Sequence, residues 1–172
     1  RSIWYVYAFG KKTLAAPSML YSFFAGLAAV AVASIFQSFL DPVFSLFSGV
    51  PGLLVRSFIV SALIEESVRL VLVRFLPLRA DSRSASAGLR AFLAGAVAIG
   101  FSFAAFENII YAIRNPSSLI LRSLTSVPLH ASITLVCSMS LAGRFSLRRP
   151  FSPFYLVVSI VLHGIYNACM RS

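Results

Sequence analysis

Acidic residues are scarce in this chain of 172 residues: 5 Asp and Glu stand against 15 Lys and Arg, and charged residues of both signs make up only 12%. Soluble domains carry roughly twice that share of charge, so a water-facing globular surface is excluded. Cysteine is scarce too. Cys137 and Cys169 lie singly within apolar runs, which leaves neither a disulfide framework nor a paired-thiol metal motif. There is no G-x-S-x-G nucleophile elbow and no HExxH zinc signature. The chain also lacks an initiator Met and a leader pattern, so Arg1 is not expected to be the natural start.

What fills the sequence instead is apolar: 59% of residues are hydrophobic and the mean hydropathy is +0.89. No globular core hides that much apolar surface, and the expected fold is all-α, a polytopic membrane bundle of about five transmembrane helices forming a single domain over residues 1–172. The net charge of +10 resides in the connections between apolar runs, where it sets topology rather than binding nucleic acid. The expected spans are Met19 to Leu40, stopped by Asp41-Pro42; Pro51 to Leu76; Leu89 to Ile113, stopped by Asn115-Pro116; a fourth starting at Ser126 or Pro128 and running to Gly143; and Phe151 to Met170. Ile3 to Gly10 is too short to span and suits the headgroup level, while Leu119 to Ser126 reads as an interfacial segment. Helix 1 reads as scaffold. With the N-terminus in the cytoplasm, ten Lys and Arg fall on the inner side and four, Arg56, Arg114, Arg122 and Arg171, on the outer side, with Arg69 in the membrane; that distribution favours this orientation.

The second span holds IEESVRL, Ile64 to Leu70, which places Glu65 and Glu66 side by side in hydrocarbon. A charge there costs at least ~2.5 to 3.5 kcal/mol on insertion scales, so an intramembrane acid is functional by default. Arg69 lies four residues after Glu65 and three after Glu66, and so can reach back one turn to hold either carboxylate. Glu107 and Asn108 on the third span, His130 on the fourth, and His163 with Asn167 on the fifth add one polar group at depth to each later helix. Their convergence on one water-filled cavity is the economical expectation, because lipid-facing placement is costly for each. Counted from the outer boundary, Glu65 comes out about 20 Å deep, too deep by several residues unless the second span tilts or begins later than Pro51, while His163 and Glu107 at about 10 Å, Asn167 at about 5 Å and His130 between about 3 and 17 Å favour the outer half.

A carboxylate beside a second carboxylate in low dielectric can take a proton from water. His163 and Asn167, four apart on one face, could then donate two hydrogen bonds to the developing oxyanion. Zinc held by Glu66, His130 and His163 is the alternative. Against it, the His163/Asn167 pairing suits donors rather than ligands, and Arg69 adds positive charge; no metal or other cofactor is therefore expected, and activity is expected to survive chelation. A proton- or cation-coupled carrier is weaker, since no internal repeat appears, and a polar-stapled scaffold would show no cleavage.

EESVR, FAAFEN, LHASIT and LHGIYNA, in that order on successive spans from Glu65 to Asn167, resemble the PrsW family of membrane peptidases, related to the CAAX-prenyl protease and bacteriocin-processing superfamily. By that resemblance Glu65 and Glu66 match the paired glutamates, Glu107 the acid of a Phe-x-x-x-Glu motif, and His130 and His163 the two histidines. The spacing EExxR, with Glu107 where the wider superfamily has histidine, favours the PrsW branch. The resemblance implies a first cut in a membrane-anchored regulatory protein, such as an anti-sigma factor, in a bacterial cell membrane. The catalytic set so expected is Glu65, Glu66, Glu107, His130, His163 and Asn167, supported by Arg69 and Asn108, with cutting on the extracytoplasmic side.

Overall fold

Hydrocarbon offers no water to backbone N–H and C=O groups, so long apolar runs are forced into helices that satisfy those groups internally. The computed structural model describes residues 16–77, 85–146 and 151–171. Among them are five long helices and no strand: α1 (Ala16–Phe44), the composite α2 (Gly49–Val55, Arg56–Leu63 and Ile64–Arg74), α3 (Ala85–Arg114), α4 (Leu119–Ser146) and α5 (Pro153–Arg171). Four of these, α1, α3, α4 and α5, are long and apolar enough to cross a membrane. The protein is a multi-pass helical membrane bundle. α2 is the exception, broken by a wide π segment over Arg56–Leu63 and carrying the paired glutamates immediately after it.

Small residues let the helices approach closely while large ones face lipid. On α1, Ser22, Ala25, Gly26, Ala29 and Ala33 are buried, whereas Phe24, Phe36 and Phe39 are exposed. α3 lies along this small face, and Ser102 Oγ donates 2.7 Å to the Phe23 carbonyl. α4 packs on α3, α5 packs on α4, and α5 also covers the π segment of α2. The apolar core, with Val73, Phe92, Ala96, Ile99, Cys137 and Leu141, occupies the half of the bundle nearest the α2–α3 connection. The buried carboxylates and imidazoles occupy the other half.

Two expected boundaries differ. α1 does not stop at Asp41-Pro42 but continues to Phe44, because a proline two residues from a helix end forfeits only one ladder bond. Nor does α4 begin at Ser126 or Pro128: it is continuous from Leu119, with Pro128 inside it, so Leu119 to Ser126 is part of the helix rather than an interfacial segment. Neighbouring helices make such a proline tolerable in a membrane bundle. Ile3 to Gly10, Lys11, Lys12, the loop around Arg79 to Arg83 and the basic turn at 147–150 lie outside the described residues.

Gly100 sets the closest approach of α3 to α4. A Cβ there would lie 2.6 Å from the His130 carbonyl oxygen and 2.8 Å from Ala131 Cα, both backbone atoms that cannot rotate away. Gly100→Ala is expected to cost about 1–3 kcal/mol through overpacking, read as a lower thermal midpoint of the purified protein in detergent. An unchanged midpoint would contradict this contact.

Candidate active site

Two buried clusters meet at His130. In the first, Arg69 is fully buried and spends every part of its guanidinium on the protein. Nη2 pairs with Glu66 Oε1, Nη1 donates 2.8 Å to Thr134 Oγ1 and 3.4 Å to the His130 carbonyl, and Nε donates 3.3 Å to the Glu65 carbonyl. The guanidinium also stacks 4.5 Å from the Phe103 ring centroid. The expected reach back by one turn is thus realised for the Glu66 carboxylate, while Glu65 is engaged only through its backbone. Glu66 Oε1 accepts a further 2.7 Å bond from His163 Nδ1.

Glu65 is held differently. Its Oε1 accepts 2.8 Å bonds from Gln37 Nε2 and Ser61 Oγ, and Ser61 Oγ in turn accepts 2.8 Å from Asn167 Nδ2. Its Oε2 is buried without a hydrogen-bond partner and lies 3.5 Å from His163 Nε2. In a neutral imidazole whose Nδ1 donates to Glu66, Nε2 would present a lone pair to that oxygen. The expected oxyanion clamp of His163 and Asn167 is not assembled: the Asn167 amide faces Ser61, and the imidazole lies between two carboxylates.

The second cluster centres on Glu107. Its Oε2 accepts from Arg122 Nη2 at 2.8 Å, from His130 Nε2 at 3.1 Å and from Ser126 Oγ at 3.5 Å. Arg122 Nε donates 3.2 Å to Asn108 Oδ1, and the guanidinium carbon lies 3.6 Å over the Tyr111 ring. Giving its Nε2 proton to Glu107 leaves His130 Nδ1 with a lone pair, and that nitrogen is buried without a partner. The two imidazole rings meet edge to face with centroids 4.8 Å apart.

One carboxylate oxygen of Glu65 and one nitrogen from each of His130 and His163 lie within 4.8 Å of one another. These groups come from three helices; His163 has Nδ1 on Glu66 and His130 has Nε2 on Glu107, and a carboxylate on one nitrogen is how an imidazole that binds a metal through the other is oriented. The residues therefore fit a divalent cation, with Glu65 in the position expected of Glu66, which is taken up by Arg69. Beside them is a cavity of about 370 Å³ bordered by Glu65 and Glu107, by Ser61, Phe103 and Tyr111, and by Ser34, Gln37 and Asp41 of α1. Glu66, His130 and His163 sit behind its wall rather than on it.

Gln37, Ser61 and Arg122 were missed in the sequence. α1 reads as scaffold but supplies Gln37 and one wall of the cavity. Arg122 counts as an outer-side charge but is buried against Glu107. Signals existed: Ser34, Gln37, Ser38 and Asp41 repeat at helical spacing in an apolar run, Ser61 lies one turn before Glu65, and Arg122 stands within apolar residues. Residue counting sets Glu65 deeper than Glu107, yet both border one cavity.

The fold and the two buried imidazole–carboxylate clusters define a helical membrane protein with a polar-lined cavity within the bundle. The sequence narrows the class: residues 15–172 match the PrsW family of intramembrane metalloproteases, and the chain belongs to that family. It is a membrane peptidase acting on substrate within the bilayer. No curated protein and no solved structure matches it.

Breaking one side of the buried pair leaves a charge with no compensation, at a cost of about 3–5 kcal/mol. Arg69→Met is expected to lower the unfolding midpoint in detergent accordingly, and Arg69→Met with Glu66→Gln to recover a substantial part of it. A double variant as unstable as the sum of its single variants would show that the two residues do not act as a pair.

Proposed function

We propose that the chain hydrolyses a peptide bond in the juxtamembrane segment of a membrane-anchored regulatory protein, such as an anti-sigma factor, in a bacterial cell membrane, and that Glu65, His130 and His163 hold a divalent metal, zinc by ligand type, for that reaction. The observation that carries the metal is the convergence of three acceptor atoms within 4.8 Å, with unpartnered Glu65 Oε2 and His130 Nδ1 buried nearby. Lone pairs turned on one another repel unless a cation lies between them. This geometry favours the zinc reading over the metal-free one that the His163/Asn167 spacing suggests.

A bound zinc would polarise the scissile carbonyl and lower the pKa of a water to about 7. The protein's own groups do the rest. Glu66 fixes the His163 ring through Nδ1 and Glu107 fixes the His130 ring through Nε2. Gln37 and Ser61 hold one oxygen of Glu65 and leave the other free toward His163, and Asn167 supports Ser61. Glu107 is the carboxylate that borders the cavity without belonging to the ligand set, so it takes the proton of the attacking water and returns it to the leaving amine.

The cavity opens in the half of the bundle that holds the α1–α2 turn and the α3–α4 turn. With Arg122 moved from the outer side to the interior, ten Lys and Arg stand against three, which strengthens the assignment of that half to the extracytoplasmic side.

The decisive experiment incubates detergent-purified protein with a single-span substrate before and after chelation. Activity should be lost with the metal and restored by zinc; full activity in protein shown to hold no metal would return the reaction to a glutamate acting alone. Glu65→Gln and His163→Ala should abolish cleavage in protein that still inserts. Asn167→Ala, which acts through Ser61, should lower turnover only roughly 10- to 100-fold; a loss as complete as that of His163→Ala would reinstate Asn167 as a direct donor to the substrate.

A further inference from the structure

Arg122 has no part in the sequence motifs that mark this chain, yet it is one of the two arginines buried at the site, with 8% of its surface exposed. It lies on α4 two turns before His130 and does not border the cavity. Its guanidinium is held from α3: Glu107 Oε2 lies at 2.8 Å, Asn108 Oδ1 at 3.2 Å and the Tyr111 ring at 3.6 Å. Glu107 Oε2 is the atom that also accepts the His130 Nε2 bond.

We infer that Arg122 is a positioning residue: it fixes the Glu107 carboxylate so that Glu107 holds the His130 ring in one tautomer, with Nδ1 left as the acceptor. Geometry carries this in three ways. A guanidinium presents its donors in a rigid fork, and here Nε and Nη2 are spent on two adjacent α3 residues, which locks the fork in rotation. Tyr111 covers one face of it, so it cannot swing toward the cavity. The carboxylate then has Arg122 and His130 on the same oxygen, and the position of one determines where the other can bond. Arg69 performs the equivalent service for His163 through Glu66. Each histidine is thus set by a carboxylate that is itself set by an arginine.

The inference rests on the proposed zinc reading for its effect on activity, but not for its structural readout. The test compares wild type, Arg122→Met, Arg122→Lys, Glu107→Gln and the Arg122→Met/Glu107→Gln double variant, each purified in detergent. Imidazole ¹⁵N shifts report the His130 tautomer in zinc-stripped protein, and zinc titration and single-span substrate cleavage follow. Arg122→Met should change the His130 signals from one tautomer to a mixture, weaken zinc roughly 10- to 100-fold and lower kcat by a similar factor. KM should not change, since Arg122 does not reach the cavity. Arg122→Lys, which keeps the charge but loses the fork, should fall between, and the double variant should be no worse than Glu107→Gln.

Unchanged His130 signals in either Arg122 variant overturn the inference, as does a rise in KM with kcat preserved, which would make Arg122 a substrate contact. Additive losses in the double variant also overturn it. Wild type that takes up no zinc refutes the metal reading alone, and the ¹⁵N signals then still decide the role of Arg122. If Arg122→Met does not fold, Arg122→Lys supplies the same readouts.

Discussion

The structure depends on one buried cation. Arg69 has no access to water, so its donors must find acceptors inside the bundle, and each of its three guanidinium nitrogens bonds to α2 or α4. A guanidinium suits this task because its charge is spread over a planar fork and is never lost by deprotonation. The arrangement ties the helix bearing the glutamates to the one bearing His130. Since α5 delivers His163 to the same Glu66 oxygen, three helices are registered by a single ion pair and its hydrogen bonds. In hydrocarbon a misregistered bundle would strand these groups without partners, at a cost far above that of a lost apolar contact.

The two halves of the bundle divide the labour. Near the α2–α3 connection the helices meet through Val73, Phe92, Ile99 and Leu141, with hydrogen bonds from α1 side chains such as Tyr21 Oη to the Leu72 carbonyl at 2.6 Å. Toward the other end serines, small residues and close glycine contacts bring the backbones together, and the space left over is filled by carboxylates and imidazoles. Gly100 lets α3 lie against the His130 carbonyl, and Gly164 admits the Phe58 ring of the π segment, where a Cβ would fall 2.3 Å from it. The π winding places Phe58 under α5 and turns Glu65 toward the cavity while Glu66 faces inward. Adjacent glutamates acquire different surroundings in this way. Each keeps one buried oxygen without a hydrogen-bond partner, but Glu66 is paired with Arg69 and only Glu65 borders the cavity.

That difference gives the site its chemical direction. Two adjacent acids in a sequence are equivalent on paper, and either could serve as base or ligand. In the fold, Glu66 and Glu107 each hold one nitrogen of one histidine, and Glu65 is left to face the pair. Under the proposed reading the chain has prepared three lone pairs for a cation and has braced each from behind. The tyrosine, serines and α1 side chains that border the cavity give it the polar lining that an extended peptide backbone needs.

The sequence by itself determined the class of fold. Apolar runs of spanning length admit only helices in a bilayer, so the number of helices and their approximate ends were legible, as was the family, whose motifs are local strings on successive spans. Glu65, Glu66, Arg69, Glu107, His130 and His163 were legible as well, because an ionisable group in an apolar run announces its own cost. Which of them meet was decided only by the tertiary structure. Spacing along one helix suggested that His163 and Asn167 act together, but α2 offers each its own partner, Glu66 and Ser61; the same spacing left Arg69 either glutamate, and the fold gives it the Glu66 carboxylate. Pro128 and Pro42 read as helix ends and lie within helices, because neighbouring segments offset the lost ladder bonds. Gln37 and Arg122 carry no motif. The polar spacing around Gln37 and the apolar surroundings of Arg122 mark them as unusual, but their partners follow from helix rotation and register, which are properties of packing between distant segments.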